Sequence, residues 1–453
     1  MSPMVRNALT LLGLVYLVLL QTPTVTAQNV TQISAGQYHS LFLRADGSLW
    51  GTGGNQFGQL GIGNFIQTNA PVEIISNGVT QIAVGGFHSL FIKSDGSLWG
   101  MGLDYFGELG CGPGVVNGMQ FGTNRPEQIV TSNTVAIAAG AAHSLILKND
   151  GSLWAMGYDA YGQLGDGTTN DNSYYPEQIV ASNVIAVAAG AFHSLFLKHD
   201  GSLWGMGYNL QGELGDGTTN VISIPEQIVG SNITAIAAGY AHSLFLKADG
   251  SLWGMGNNAL GQLGDGTTND ADFPEQIVSS NVVAVAAGVA YSFFIKNDGS
   301  LWAMGQMGDW PTNVLYFSTN RPQQIFDQGL KEIAGGYYHS LFLMTDGSVW
   351  ASGDNEQGQL GDRAYSASVR AVQMVASASY NQISAKCLNS GDMQLTFVGN
   401  VDTTYVLDRS FSLTSPNWIP QATNLANSFG DLIFTNTPGT ATNSFWRVRS
   451  LPK

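Results

Sequence analysis

The sequence predicts an all-β protein of seven similar modules, which we interpret as a seven-bladed β-propeller followed by a small β-sandwich. Three observations carry this prediction: one motif recurs along the chain, each copy contains a hairpin signal, and most copies end in a proline-marked strand. The motif is clearest at residues 140–154 and 239–253. Its tryptophan recurs after 48 to 55 residues, a period typical of rings or arrays of equal units. The seven tryptophans are Trp50, Trp99, Trp154, Trp204, Trp253, Trp302 and Trp350.

Residues 1–27 are predicted to be a secretory signal peptide. Arg6 supplies a positive start, residues 8–20 form an apolar run, and small residues at 25–27 offer a cleavage point. The alternative is an N-terminal anchor that stays uncleaved. No other stretch is long and apolar enough for a membrane span. We therefore expect the mature chain to be exported without a span, as a secreted, periplasmic or cell-surface protein.

The charge balance argues against binding to nucleic acid. The chain has 17 basic and 32 acidic residues, and removal of Arg6 with the signal peptide leaves 16 basic residues and a net charge of −16. An acidic surface without a basic tail repels a polyanion. Charged residues make up only 11% of the chain and glycine occupies 57 positions, a balance typical of an extracellular all-β protein with many turns.

Every module contains the dipeptide Asp-Gly between two apolar segments, which predicts a β-hairpin with a two-residue type I′ turn. In the third module such a turn places Leu147 opposite Trp154 on one face of the sheet and Ile146 on the other. Both faces would then be apolar, so each sheet must be covered on both sides. The dipeptides begin at Asp46, Asp95, Asp150, Asp200, Asp249, Asp298 and Asp346.

One predicted strand precedes each hairpin and another follows it. The side chains of residues 135–140 become smaller toward Gly140, which suits the crowded axis of a ring. Pro176 confines the last strand to a sheet edge. Seven such sheets arranged radially make a propeller over residues 28–378 that leaves only short edges. Each module supplies its own strands, although the similarity of residues 381–385 to residues 31–35 leaves a closure by strand sharing open.

Residues 379–453 lack the motif and are predicted to form a separate small β-sandwich. Alternating residues at 393–398 and 404–407, separated by turn-forming clusters, are typical of short strands. The aromatic-Arg-Val segment at 445–449 resembles the C-terminal modules of exported bacterial proteins, which implies no chemistry. We favour a spacer or attachment role over a ligand-binding site.

Several spaced motifs of the modules resemble one known repeat family. The Gly-Gln-Leu-Gly and Gly-Glu-Leu-Gly segments begin at Gly58, Gly107, Gly162, Gly212, Gly261 and Gly358. Together with Ala-Gly-x-x-His-Ser and Asp-Gly-Ser-Leu-Trp, they resemble the repeats of the regulator of chromosome condensation family over residues 30–378. The resemblance implies a seven-bladed propeller. A secreted bacterial branch, the propeller-type β-lactamase inhibitory proteins, is similar in size, export and short loops.

The nuclear activity of that family, nucleotide exchange on a small GTPase at chromatin, is not carried over to this chain. The signal peptide, the acidic surface and the missing basic arm argue against it. Likeness of fold alone does not establish function.

Six histidines share one position of the repeat, and Tyr291 takes that position in the sixth module. We expect no metal site there, because metal ligands must converge on one ion whereas equivalent positions in a ring of blades stay apart. A structural hydrogen bond inside each blade is predicted instead. The histidines are His39, His88, His143, His193, His242 and His339.

The repeat tryptophans are predicted to lie in the core between blades, because Leu and Met flank them, rather than on a sugar-binding platform. The Asp-Gly-Thr-Thr segments at Asp166, Asp216 and Asp265 lack the ligand spacing of a calcium loop. No nucleophile elbow, phosphate-binding loop or zinc signature occurs. We therefore predict no catalytic residue, no metal and no cofactor.

The candidate binding site lies where the repeat breaks. Residues 111–122 of the second module and 306–317 of the sixth carry apolar and aromatic side chains in place of Gly-Asp-Gly-Thr-Thr. Aromatic residues on loops of a rigid scaffold are typical of interaction sites, and local packing is the alternative. The contact candidates are Met119, Phe121, Trp310 and Tyr316.

These observations favour an exported, non-catalytic scaffold that binds a protein through one propeller face, an enzyme inhibitor being one version. The alternatives are a polysaccharide-acting enzyme and a lectin-like carbohydrate binder on the same face. Two facing carboxylates with raised pKa in a cleft would favour the enzyme.

Overall fold

The computed structural model describes residues 29–112, 122–169, 172–309 and 314–375, and six strands between residues 383 and 450. For residues 307–309, 314–317 and 369–370 and for most of the six late strands, it describes the backbone alone. The chain divides into two compact units, Gln28–Val375 and a second that contains Ala376–Lys453. Within the described part, no helix has the length and hydropathy of a membrane span.

The first unit is a seven-bladed β-propeller, as the period predicts. Each blade is a four-stranded antiparallel sheet built from four consecutive strands. Blades 1 to 3 contain β1 (Val30–Ala35), β2 (His39–Arg44), β3 (Leu49–Gly53), β4 (Thr68–Ile75), β5 (Val79–Val84), β6 (His88–Lys93), β7 (Leu98–Leu103), β8 (Gly122–Val130), β9 (Thr134–Ala139), β10 (His143–Lys148), β11 (Leu153–Gly157) and β12 (Ser173–Val180). Blades 4 and 5 contain β13 (Val184–Ala189), β14 (His193–Lys198), β15 (Leu203–Gly207), β16 (Ile222–Val229), β17 (Ile233–Ala238), β18 (His242–Lys247), β19 (Leu252–Gly256) and β20 (Ala271–Val278). Blades 6 and 7 contain β21 (Val282–Ala287), β22 (Tyr291–Lys296), β23 (Leu301–Asp309), β24 (Val314–Phe326), β25 (Leu330–Gly335), β26 (His339–Met344), β27 (Val349–Gly353) and β28 (Ser368–Val375).

The second unit contains two three-stranded antiparallel sheets, with strand orders β29-β30-β33 and β32-β31-β34. Their packing as a sandwich stays a prediction. The strands are β29 (Ile383–Cys387), β30 (Met393–Val398), β31 (Thr404–Ser410), β32 (Ile419–Leu425), β33 (Asp431–Asn436) and β34 (Phe445–Ser450).

The hairpins form at Asp-Gly, but the predicted two-residue type I′ turn is wrong. Lys148 pairs with Ser152 through a backbone hydrogen bond of 3.0 Å, so three residues form the loop. Gly151 alone has a positive φ, +78°, which is the pattern of a type I turn followed by a bulge. The Asp150 carboxylate stabilises this loop by accepting hydrogen bonds from the Ser152 amide and hydroxyl.

The longer loop shifts the register by one residue, so Leu147 lies opposite Leu153, not Trp154. Leu147 and Leu153 pack against blade 4, whereas Trp154 packs against blade 2. Both faces of the sheet are nevertheless apolar and covered. The expectation that one core lies between each pair of neighbouring blades therefore holds despite the shifted register.

The tryptophans lie half-buried at the hairpin end of each blade. The Trp154 indole nitrogen donates to the Ser152 hydroxyl over 2.9 Å, and the Lys148 ammonium lies 3.6 Å from the ring centroid. Lysine or arginine covers the ring in the same way in blades 1 to 6, at 3.6 to 4.1 Å. The ring faces are thus occupied by the protein's own side chains.

The ring closes without strand exchange. Blade 1 has its own innermost strand, and β29, which the sequence leaves open as a shared strand, pairs with β30 instead. Blades 7 and 1 are joined by side-by-side packing, with Phe42 in one core with Leu341 and Leu343. The Tyr337 amide also donates to the Gly36 carbonyl over 3.0 Å.

The repeat histidines join neighbouring blades, and the predicted hydrogen bond inside each blade is wrong. In the junction of blades 3 and 4, the Nε2 atom of His143 lies 3.0 Å from the Ser194 hydroxyl. That hydroxyl donates to the Gln163 carbonyl of blade 3 over 2.7 Å. The same three-part junction occurs six times around the ring, at His39–Ser89, His88–Ser144, His143–Ser194, His193–Ser243, His242–Ser292 and His339–Ser40.

The junction dictates the tautomer of each histidine. A serine hydroxyl has one proton, which it gives to the carbonyl, so its oxygen must accept a proton from Nε2 of the ring. The Nδ1 atoms are buried and have no hydrogen-bond partner among the described residues. Burial lowers the pKa of the six imidazoles to about 3 or 4. The histidines are therefore neutral structural groups.

Blade 6 replaces the whole junction rather than one residue of it. It lacks both the histidine and the Gly-Gln-Leu-Gly loop, whose carbonyl the serine of the next blade would use. The Tyr291 hydroxyl instead accepts from Ser340 over 3.0 Å and lies 2.9 Å from the Gly336 and His339 carbonyls. The phenol oxygen thus replaces the loop carbonyl as the acceptor for Ser340, and the phenol proton goes to a carbonyl of blade 7.

A glutamine side chain orders the loop of four blades, and a glutamate does so in two. The Gln163 side-chain oxygen accepts from the Tyr161 amide over 3.0 Å, and Glu213 makes the equivalent bond with Gln211. The second carboxylate oxygen of Glu213 is buried without a partner among the described residues. Burial raises the pKa of Glu213, and likewise that of Glu108, to about 7.

We predict that Ser194→Ala destabilises the propeller. The substitution leaves the His143 Nε2–H and the Gln163 carbonyl buried without their partner, at a cost of roughly 1–3 kcal/mol for each group. Urea unfolding measures the loss. Ser132→Ala, on the exposed connection between β8 of blade 2 and β9 of blade 3, is the control and should change stability little. Equal unfolding midpoints for the two variants would show that the junction contributes nothing.

We predict that Glu213→Gln stabilises the protein at pH 8 and that this gain disappears on acidification. The folded-state pKa of Glu213 lies above its ordinary value, so the wild-type carboxyl contributes fully below about pH 4.5 and loses that contribution as pH rises through about 7. The gain at pH 8 is on the order of 2–3 kcal/mol. Glu226→Gln, exposed on β16 of the same blade, is the matched control. A gain independent of pH would contradict the assignment.

Candidate functional site

One end of the propeller carries two loops from every blade. Because His39 pairs with Gly53, the loop between β1 and β2 and the loop between β3 and β4 emerge together. The Gly54 amide donates to the Tyr38 carbonyl over 2.7 Å and ties these loops to each other. We call this end, formed by the equivalent loops of all blades, the loop end.

A connected set of aromatic rings covers much of the loop end. Neighbouring ring centroids lie 4.7 to 6.4 Å apart, and many pairs meet edge to face, the arrangement that aromatic quadrupoles favour. The exposed fraction of Tyr105 is 48% and that of Tyr240 is 41%, while the other rings are half-buried. We call this set the aromatic belt: Tyr38, Phe57, Phe87, Tyr105, Phe106, Tyr158, Tyr161, Phe192, Tyr208, Tyr240, Tyr337 and Tyr338.

The junctions between blades hold the belt in place. Tyr38 and Phe192 directly precede repeat histidines, whose rings are fixed by the serine of the next blade. Tyr161 is held within its own loop instead, because its backbone amide donates to the Gln163 side chain. Gly58 of the same type of loop has φ +82°, and a Cβ there would lie 2.5 Å from Cα of Asn124 in the next blade. The loops are thus pressed against their neighbours, which makes the belt a rigid surface.

An axial cavity of about 70 Å³ lies at the centre of the ring. Mostly glycine and alanine line it, as the shrinking residues of the innermost strands predict, and Tyr240 and Tyr337 are its aromatic members. Its volume admits only a few water molecules. The Tyr337 hydroxyl is buried without a partner among the described residues, and burial raises the pKa of that phenol.

The loop end is acidic. The loops between the first and second strands of the blades contain no charged residue, and those between the third and fourth contain a single basic residue, Arg363. Glu356, Asp166 and Asp270 are exposed there, while Asp216 is half-exposed. The loop end therefore combines aromatic rings with negative charge.

Four carboxyl groups at the loop end have raised pKa values, about 6 for Asp104 and about 7 for Glu108, Asp159 and Glu213, with burial as the main cause. They are nearly inaccessible and accept hydrogen bonds from amides of their own loops, as Asp159 does from Leu164 over 2.9 Å. They order loops and do not face a cleft. Within the described ranges, no three His, Cys, Asp or Glu side chains converge as ligands for a metal ion.

The contact candidates from the sequence fall mostly outside the described residues. Met119, Phe121 and Trp310 lie there entirely, and Tyr316 belongs to β24 with only its backbone described. In the sequence, Met119, Phe121 and Trp310 fall between the third and fourth strands of blades 2 and 6. Their role as contacts stays a prediction.

Sequence reasoning missed the aromatic belt. Its signal was the residue before each repeat histidine, which is aromatic at Tyr38, Phe87, Phe192 and Tyr338. The motif comparison concentrated on positions that are identical in every module. Positions that are aromatic in only some modules, yet lie at one end of the ring, required the topology to connect them.

Comparisons with known proteins agree with this architecture. A model described as an RCC1-like domain matches residues 117–391, and models of the regulator of chromosome condensation (RCC1) repeat match residues 30–59, 79–108 and 46–92. The ultraviolet-B receptor UVR8 of Arabidopsis thaliana is 44% identical over 45 residues. That alignment covers only 10% of this chain and 10% of the receptor.

Solved structures share the fold at low sequence identity. Human WBSCR16 has a TM-score of 0.63 and 23% identity, with 74% of this chain and 94% of that chain covered. Prp20p of Saccharomyces cerevisiae has a TM-score of 0.62 and 18% identity, with 80% and 90% covered. Yeast RCC1 (Prp20) bound to Kap60 gives 0.63 and 18%, with 85% and 92% covered. Because the RCC1-like model matches more than half of the residues, this chain belongs to the RCC1-like domain family.

Proposed function

We propose that this protein is a non-catalytic scaffold that binds a protein partner through the aromatic belt. The observation that carries the proposal is the belt itself, a rigid and partly exposed set of twelve touching aromatic rings at one end of the propeller. Tyrosine is enriched in binding hot spots because it presents a large contact area and loses little side-chain entropy.

The geometry supports binding better than catalysis. The carboxyl groups with raised pKa are buried within their loops, and the axial cavity is too small for a sugar chain. A broad aromatic surface without a deep cleft fits a protein. A more specific form of this proposal is that the protein partner is an enzyme and that binding inhibits it.

Related propellers give the proposal a precedent. The yeast structures concern binding of Prp20p to Gsp1p and histones and a complex of yeast RCC1 with Kap60. We propose for this chain only that a propeller of this fold serves as a binding platform, because identities of 18% support the fold alone.

We also propose that the protein is exported and that the mature chain begins near Gln28. The support is the basic, apolar and small-residue pattern of residues 1–27. N-terminal sequencing of the protein secreted by its native source should find this start. Recovery of the intact chain from the membrane fraction would instead support an uncleaved anchor.

We predict that the double variant Phe192→Ala/Tyr240→Ala loses affinity for the native partner by about tenfold to thirtyfold, the effect of losing hot-spot rings. The partner is captured from the extracellular proteins of the native source on the immobilised mature protein, identified, and then titrated against each variant.

Ile185→Ala is the control, since this isoleucine is 51% exposed on β13 next to Val184, which pairs with Lys198 at the hairpin end. If the double variant keeps full affinity for the partner and its unfolding midpoint is unchanged, the belt is not the contact surface. Phe121→Ala and Trp310→Ala in the same titration test the contact candidates of blades 2 and 6. Binding of soluble glycans, lost in the double variant, would favour the lectin-like alternative.

A further inference from the structure

We infer that the segment of the partner that meets the aromatic belt is cationic, with lysine or arginine side chains placed over its rings. This inference rests on the proposed function and adds the chemistry of the partner to it. The occupant is a positively charged segment of a protein. It follows from three observations: the charge of the loop end, the state of its aromatic rings and the distribution of the basic residues of the chain.

The first observation is that the charge of the loop end is predominantly negative, although the guanidinium groups of Arg125 and Arg321 lie against Gly63 and Gly266 of its loops. The loops between third and fourth strands carry one basic residue, Arg363. Apart from the four buried carboxyl groups with raised pKa values, the described acidic residues of these loops are Asp166, Asp216, Asp265, Asp270, Asp354, Glu356 and Asp362. A negative surface attracts a cationic partner and repels an acidic one.

The second observation concerns six linked rings in the loops between first and second strands, which we call the central arc. Successive rings of this arc lie 5.8 to 6.4 Å apart. Among the described residues, no lysine or arginine lies over any of them. The faces of aromatic rings carry negative potential and attract cations. The arc consists of Phe87, Tyr38, Tyr338, Tyr337, Tyr240 and Phe192.

The third observation is that cation–π contacts already form at the hairpin end of the propeller, between lysine and tryptophan side chains of the same blade. In blade 4 the Lys198 ammonium lies 3.6 Å from the Trp204 ring centroid, and in blade 5 the corresponding distance from Lys247 is 3.7 Å. The basic residues that end the second strands therefore stay at the hairpin end. The loop end has comparable rings and more negative charge, and among the described residues no lysine or arginine covers the central arc.

The edge-to-face geometry of the arc suits a cation better than a flat apolar ligand. Tyr240 meets Tyr337 at an interplanar angle of 88° and Phe192 at 80°. Rings at right angles present faces in different directions, so an ammonium or guanidinium between them contacts more than one π-system. The exposed carboxylates of Glu356 and Asp270 add attraction at longer range.

The test uses the mature protein and two short peptides, one of alternating lysine and glycine and one in which glutamine replaces every lysine. Calorimetric titration at physiological salt should show binding of the lysine peptide at least about fivefold tighter than that of the glutamine peptide. The variant Tyr240→Leu/Tyr338→Leu should weaken lysine-peptide binding about fivefold to thirtyfold, the range expected for loss of a cation–π contact. Tyr240→Phe/Tyr338→Phe should retain it.

The leucine variant is decisive because any cationic peptide is attracted to a protein of net charge −16, and this variant leaves that charge unchanged. Unfolding midpoints of all variants are measured in parallel, and the phenylalanine variant separates loss of the ring from loss of the hydroxyl. Ile185→Ala, near the hairpin end, should bind as the wild type does.

Equal affinity for the two peptides, or unchanged lysine-peptide binding in the leucine variant, would overturn the inference. Loss of the native partner in Phe192→Ala/Tyr240→Ala, together with no preference for lysine, would leave the proposed function standing while this inference fails. Retention of the native partner by that variant would defeat the proposed function itself.

Discussion

The hydrogen bond from a repeat histidine to the serine of the next blade is the interaction on which the rest of the structure depends. It joins the second strand of one blade, the loop of that blade and the second strand of the next through a single hydroxyl, as Ser194 does for His143 and Gln163. Because the serine has only one proton, the histidine must be neutral and must donate from Nε2. The same residues also position the aromatic belt, since several of its rings directly precede these histidines. The scaffold and the candidate site therefore share one set of contacts.

Blade 6 shows that this junction behaves as one unit. Its loop lacks Gly-Gln-Leu-Gly, so the carbonyl that the serine elsewhere uses is missing. With a histidine in that position, the Ser340 hydroxyl would have no acceptor for its proton. Tyr291 supplies the missing acceptor, because its phenol oxygen accepts from Ser340 while its own proton goes to a carbonyl of blade 7. The loop sequence and the residue at the histidine position are thus chemically linked, although they are separated along the chain.

Much of the fold could be predicted from the sequence because its determinants are local and repeated. The period of the tryptophans and the Asp-Gly turns predicted seven blades, and the described strands confirm this number. The register was wrong by one residue, since Asp-Gly is compatible with a type I′ turn and with the observed turn and bulge. Only the backbone angles distinguish the two, and Gly151 alone takes a positive φ.

The partners of the histidines and the aromatic belt could not be predicted in the same way. Ser194 lies 51 residues from His143, and nothing in a single module indicates that its histidine reaches into the next one. The belt is harder to predict, because its members occupy several different positions of the repeat. Phe192 directly precedes the histidine of blade 4, whereas Tyr240 lies two residues before that of blade 5. Closure of the ring brings these positions together, so their contact is a property of the topology rather than of any motif.

The two ends of the propeller use similar side chains in opposite ways. At the hairpin end, Lys148 covers Trp154, the indole nitrogen donates to Ser152, and Asp150 receives the proton of that hydroxyl. Aromatic, cationic and anionic groups there satisfy one another within a single blade. At the loop end, Tyr240 and its neighbours contact one another, and among the described residues no lysine or arginine covers their rings. Charged and aromatic groups that already pair within one blade gain little by binding another molecule. At the loop end the aromatic rings have no such cation within the described part of the chain, so a partner's cation can interact with them, and two loops of every blade lie at that end.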